Sequence, residues 1–292
     1  MPKNLPVYSL DAFKKSLDRN ELYCNSLNPH VKEHKFTNLP HKHDFYLIVI
    51  ITKGKGWHEI DFVRYNVSSG SVFMMRPGQM HYWKLSDNIQ GYVFFHTKDF
   101  YDQGYTLTGI EDYAFFKSFR SHPSIKVSSQ KLQKLSLWMN EILIEYKKPN
   151  KFAYEKIHAL INLVYIDLSE YYIKIEKNQK QTYLSKLTEF ERLIEKHYRE
   201  TKLVSEYALK LNISEKHLNR ITRTCLNKTA TQLIADRIIL EAKRLLIQAK
   251  INVSHVAYDL GFTDISYFIR MFKKQTGETP LKFLKNQINK NY

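Results

Sequence analysis

Cysteine is nearly absent from this chain: two residues in 292, Cys24 and Cys225, far apart in sequence. That excludes a disulfide framework and a cysteine-based zinc site, and it fits a reducing compartment. Long apolar runs are also lacking. The run Phe45 to Thr52 is strand length, well short of the roughly 18 residues a spanning helix needs, so no membrane segment is expected. The N-terminus, Met1-Pro2-Lys3-Asn4-Leu5-Pro6, carries no apolar stretch of the signal-peptide kind, and a cytoplasmic location is the expectation. No catalytic constellation stands out. There is no phosphate-cradling glycine-rich loop, no convincing Ser/His/Asp spacing and no pair of carboxylates in a strand-rich context. Catalytic residues, a resident metal and a cofactor are accordingly not expected.

Acidic charge is the other shortage. Lys and Arg number 45 against 29 Asp and Glu, a formal net charge of +16 and a pI near 9.5. An acidic partner follows, with nucleic acid first and an anionic membrane second. Lys186 to Lys290 holds 20 basic and 11 acidic residues, so +9 sits there. A lysine-rich solvated surface would give the same total, so charge alone leaves the partner open. Aromatics reach 14%, enough for a substantial core. At this length two domains are the natural expectation.

The most informative stretch runs from Val253 to Pro280. Val253, Val256, Ala257 and Leu260 fall at helical spacing and give one apolar face. Gly261 follows, where a helix end favours positive φ. Thr263 or Asp264 can cap a second helix that buries Phe268 and Phe272. That helix exposes Ile265, Ser266, Ile269, Arg270, Lys273 and Lys274. This is the pattern of a helix-turn-helix, whose second helix can enter a major groove. A copy lies upstream. Ala208-x-x-Leu211-x-Ile213 matches Ala257-x-x-Leu260-x-Phe262, and Leu218-x-Arg220 matches Phe268-x-Arg270.

The segment resembles the second helix-turn-helix of the AraC/XylS transcription regulators, whose landmarks it shows in order: Ala257, Gly261-Phe262, Tyr267-Phe268, Arg270, Phe272-Lys273, Gly277 and Thr279-Pro280. The resemblance implies two helix-turn-helix units joined by one helix, reading two half-sites about one turn of DNA apart. By that resemblance Lys216, Asn219 and Arg220 fall at base-contacting positions on the first recognition helix, and Ile265, Ser266 and Arg270 on the second. Arg223 and Lys273 face the same way. Arginine can bond guanine bidentately and asparagine adenine. Two departures are visible: Asn212 where glycine is usual, and Ala230 where proline is frequent.

Upstream, short β-branched and aromatic segments alternate with turns at Lys53-Gly54-Lys55-Gly56, Ser69-Gly70 and Pro77-Gly78, which predicts a barrel or jelly roll. His41-x-His43, the glycine turns and Pro77-Gly78-x-x-His81 resemble the cupin-type sensor domain that precedes many AraC-family DNA-binding domains. His41, His43, Trp57, His81 and Tyr82 are expected to cluster there as an effector pocket. The carboxylate that enzymatic cupins add after the His pair is missing, so no metal is assigned. From Ser128 to about Lys177 two helical stripes predict an antiparallel pair, which packs on the barrel or carries a dimer contact.

The expected fold class is therefore α+β multidomain. A cupin-like sensor domain occupies residues 1–125 and a helical region 126–177, with a linker at 178–184. A DNA-binding domain at 185–292 contains helix-turn-helix units at about 204–226 and 253–275, with the connecting helix at about 229–248. The expected partners are double-stranded DNA, a small-molecule effector, a second copy of the chain and RNA polymerase. A metal-dependent cupin enzyme with a helical appendage is the rival.

Overall fold

The computed structural model describes residues 6–13, 21–104, 107–118, 121–176, 181–248 and 252–290. They build two compact units, residues 6–177 and 178–292.

The strands of the first unit are β1 (Val7–Tyr8), β2 (Leu22–Ser26), β3 (Lys42–His43), β4 (Tyr46–Lys53), β5 (Gly56–Ile60), β6 (Val63–Val67), β7 (Ser71–Met75), β8 (His81–Leu85), β9 (Gln90–His96) and β10 (Ser124–Lys126). One sheet has the order β10-β7-β4-β9-β2 and is antiparallel throughout; a second has the order β6-β5-β8. β1 pairs in parallel with β3. The unbroken apolar character of β4 has a simple cause, because both its faces are covered. Leu47, Val49 and Ile51 point into the core between the two sheets, with Phe73, Trp83 and Phe95. Tyr46, Ile48 and Ile50 point the other way, into a second core shared with helices.

Those helices are α2 (Lys98–Asp102), α3 (Ser129–Lys147) and α4 (Ala153–Glu176), whereas α1 (Leu27–Glu33) packs into the first core through Leu27. The stripes expected from the sequence are the buried ones: Leu135, Met139 and Ile142 on α3, and Ile157, Ile161, Val164 and Leu168 on α4. Both pack on the sheet. Residues 21–40 carry little apolar patterning, yet they form regular elements. β2 and α1 lie there, and Pro29 is tolerated because it falls in the first turn of α1. Leu10–Ala12 form a short 3-10 turn.

The second unit consists of α5 (Gln181–His197), α6 (Val204–Lys210), α7 (Glu215–Leu226), α8 (Ala230–Gln248), α9 (Val253–Asp259), α10 (Ile265–Thr276) and α11 (Pro280–Lys290). Of the linker expected at 178–184, residues 181–184 are the first turn of α5, and 178–180 lie outside the described residues. The paired helices α6–α7 and α9–α10 turn at left-handed residues, Asn212 (φ 52°) and Gly261 (φ 73°). Asparagine tolerates that conformation, so the first turn keeps its geometry. Ser214 and Asp264 cap α7 and α10 by accepting from His217 N and Tyr267 N.

Candidate nucleic-acid interface and sensor cluster

The first recognition helix, α7, buries Leu218, Ile221 and Thr222. Its other side exposes Lys216, Arg220 and Arg223, with His217 and Asn219 half-buried. With the start of α8 they line an open groove of about 940 Å³, whose wall also includes Ser214, Thr229 and Thr231. Among the described residues no acidic side chain lines it. On α10, Phe268 and Phe272 are buried. Ser266, Arg270 and Lys273 are exposed, and Ile265 and Ile269 are half-exposed. Arg270 rests 3.6 Å from Asp264, both side chains mostly in solvent. Such a pair is weak and leaves the guanidinium available. Tyr267, named above as a landmark of the resemblance but not as a contact, is half-exposed on the same helix.

Asn219 behaves differently from its neighbours. Its Nδ2 donates to the Glu215 carbonyl at 3.1 Å, and its Oδ1 accepts from Ala230 N at 3.0 Å.

The first helix pair packs on α5 and α8, and the second on α8. Arg237 of α8, only 5% exposed, donates to Glu195 of α5 at 2.8 Å and to Glu241 at 3.1 Å. Its guanidinium stacks 4.0 Å above the Tyr198 ring. The N-terminal end of α5 meets the first helix pair, where Lys186 donates to the Leu211 carbonyl and Tyr183 lies 5.9 Å from the His217 ring. Past the other end, Lys202 donates to the Gly261 carbonyl at 3.0 Å, in the turn of the second pair.

In the first unit, His41, His43 and His81 do come together. The rings of His41 and His81 are 4.2 Å apart and those of His43 and His81 5.1 Å. Trp57 and Tyr82 do not join them, which corrects the expected cluster. In the β5–β8 ladder His58 opposes Trp83 and Trp57 opposes Lys84. Alternation turns His58, His81 and Trp83 inward and Trp57 and Tyr82 outward. The latter two stack edge-on at 5.3 Å, with the Arg64 guanidinium 4.0 Å over Trp57. The places left inside are taken by His58 and Trp83, with His30 of α1 and His34 just past its end packed nearby. Alternation along Trp57-His58-Glu59-Ile60 was the signal that could have found His58.

Burial holds these imidazoles neutral. It pushes His30, His43 and His58 down to about 3 and His41 to about 4, with neighbouring histidines adding repulsion at His30, His43 and His58. His81 is lowered well below its usual value for the same reasons. His41 and His43 each bond a backbone carbonyl through Nδ1, those of Leu39 and Phe45. Nε2 of His30, His43 and His81 and Nδ1 of His58 are buried without a hydrogen-bond partner. The space lined by His30, His41, His43 and His81 is about 10 Å³, room for roughly one water molecule. Among the described residues no three His, Cys, Asp or Glu side chains are placed to hold a metal ion, and no helix is long and apolar enough to cross a membrane.

The model of a "Helix-turn-helix domain" matches residues 207–286, and that of an "AraC-like ligand binding domain" matches residues 29–147. The chain belongs to the AraC family of transcription regulators. The HTH-type transcriptional activator RhaR of Mannheimia succiniciproducens is 21% identical to this AraC-family chain over 254 residues, 86% of this chain and 88% of that protein. The HTH-type transcriptional regulator YfiF of Bacillus subtilis is 22% identical over 252 residues, 84% and 78% of the two lengths. ToxT of Vibrio cholerae, solved with an unsaturated fatty acid bound, is 16% identical with a TM-score of 0.41, over 93% of this chain and 97% of that one. A DNA-binding regulator with an N-terminal ligand-binding domain follows from the family.

Proposed function

We propose that this regulator reads two consecutive major grooves with α7 and α10. The observation that carries this is the pairing of two capped recognition helices on one frame, each with a polar or cationic outer face. Lys216, Arg220 and Arg223 would contact the first half-site, and Ile265, Ser266, Arg270 and Lys273 the second. The two faces differ in chemistry. α7 offers bidentate donors suited to guanine, whereas Ile265 and Ile269 offer methyl groups suited to thymine. The domain limits follow the same reading: sensing in 1–125, helices in 126–177, DNA binding from 185 onward.

In the sensor domain His41, His43 and His81, joined by His58 and His30, form the effector site. A cavity of about 10 Å³ cannot admit an organic effector as it stands, so binding opens the wall. The exposed Leu137 and Ile144 of α3, with Leu163 and Ile166 of α4, supply an apolar face for a second copy. The reading includes contact with RNA polymerase, the enzyme whose activity a bound regulator alters.

The test is selection of DNA sequences with the purified protein, wild type against Arg270→Ala, at two salt concentrations. The expected motif has two blocks about ten base pairs apart. The substitution relaxes one block by about 1–3 kcal/mol and leaves the salt slope nearly unchanged. A uniform loss of affinity with a shallower slope would make Arg270 a phosphate contact instead.

A further inference from the structure

Asn219 lies on the reading helix α7, next to Arg220, and asparagine is well suited to bonding adenine. Its amide is engaged at both ends within the protein, with Nδ2 on the Glu215 carbonyl and Oδ1 on the backbone N–H of Ala230. Ala230 is the first residue of α8 and is fully buried. A first-turn N–H has no partner inside its own helix, so without Asn219 this one would be buried and unsatisfied.

The second helix pair meets the same requirement by other means. Arg220 and Arg270 are equivalent in the internal repeat, so Ile269 stands in place of Asn219 and Pro280 in place of Ala230. Pro280 opens α11 as Ala230 opens α8, and both are buried. Proline has no N–H to satisfy at this position and is favoured there. The residue at the position of Asn219 is accordingly apolar. Asn with Ala, and Ile with Pro, are two matched versions of one joint.

We infer that Asn219 is a positioning residue and not a base-reading one. It ties α7 to the start of α8 and fixes the angle at which Lys216, His217, Arg220 and Arg223 meet the groove. Base discrimination in the first half-site belongs to those four side chains. The DNA part of this inference rests on the reading above; the joint itself does not.

The experiment compares full-length wild type, N219A and the double variant N219I/A230P, which transplants the second joint into the first. Hydrogen exchange is followed at the start of α8, and DNA selection and affinity are measured in parallel. The expected N219A result is faster exchange at that helix start and binding weaker by about tenfold, with the same preferred base at every operator position. The double variant restores slow exchange and affinity and selects the wild-type motif. The inference is overturned if N219A changes the preferred base at one position and the double variant keeps that change. Wild-type exchange at the start of α8 in N219A overturns it too. If wild type selects no motif, the DNA reading fails while the exchange data still decide the joint.

Discussion

Acidification should unfold the sensor unit well before ordinary carboxylates titrate. His30, His43 and His58 are held down to about 3, and His41 and His96 to about 4, all by burial first. In an unfolded chain a histidine titrates near 6.5. A base whose folded value is depressed binds fewer protons when folded. Its full stability is therefore present above pH 6.5 and is lost as pH falls toward the folded value. At pH 6 the loss is about 0.8 kcal/mol per histidine, and at pH 5 about 2 kcal/mol. The pH 5 figure depends only on the unfolded value, provided the folded one stays below roughly 4.

Five such groups remove about 4 kcal/mol at pH 6 and about 10 kcal/mol at pH 5, against a typical domain stability of about 5–15 kcal/mol. His81 adds to this in the same direction. All three tryptophans, Trp57, Trp83 and Trp138, lie in this unit, so their fluorescence reports on it alone. Urea titrations at pH 8, 6 and 5 should show the midpoint falling steeply, with no folded baseline left near pH 5. A loss smaller than about 1 kcal/mol between pH 8 and pH 5.5 would mean the histidines are solvated or paired with acid, and would refute the argument.

Two further outcomes concern the DNA-binding unit. Gly261→Ala would place a Cβ 2.0 Å from the Arg199 carbonyl oxygen at φ +73°, so it should cost more than about 2 kcal/mol. A thermal midpoint within about 1 °C of wild type would show that the turn can move aside. Arg237→Ala removes the ion pairs that Arg237 makes with Glu195 and Glu241, and leaves Glu241 facing Arg244 and Arg199. Breaking a buried network of this kind costs about 3–5 kcal/mol, and DNA affinity should fall at both half-sites together. Loss at one half-site alone would speak against a shared frame.

Much of the second unit was legible because its signals are local. The apolar spacing of Val253 to Leu260, the turn glycine and the caps all act within a few residues, and each is where the sequence put it. In the first unit the period-2 pattern located the strands, but the pocket depended on parity. Choosing Trp57 by its chemistry, when the alternation with Ile60 favoured His58, placed an aromatic on the wrong face of β5. His30 was missed because α1 sits in a stretch with no repeating apolar pattern, and its partner Trp83 is some fifty residues away in β8; His34, one residue past that helix, packs on Phe13 and His30. Asn219 was read as a contact because its second bond spans eleven residues. The clue lay elsewhere, in Ala230, where the expected proline is absent and an N–H appears that something must satisfy.

Helix α5 touches the first helix pair near its start and leads at its end into the segment that touches the second. It follows directly on the residues that join the two units. At about 1.5 Å per residue it is a rod some 25 Å long, gripping one reading head through Lys186 and leading, beyond its far end, to Lys202 on the other. On the proposed reading, a pull on its first turn would reach both heads. Release from DNA would be concerted, and an operator with one damaged half should weaken residence without changing how the protein lets go.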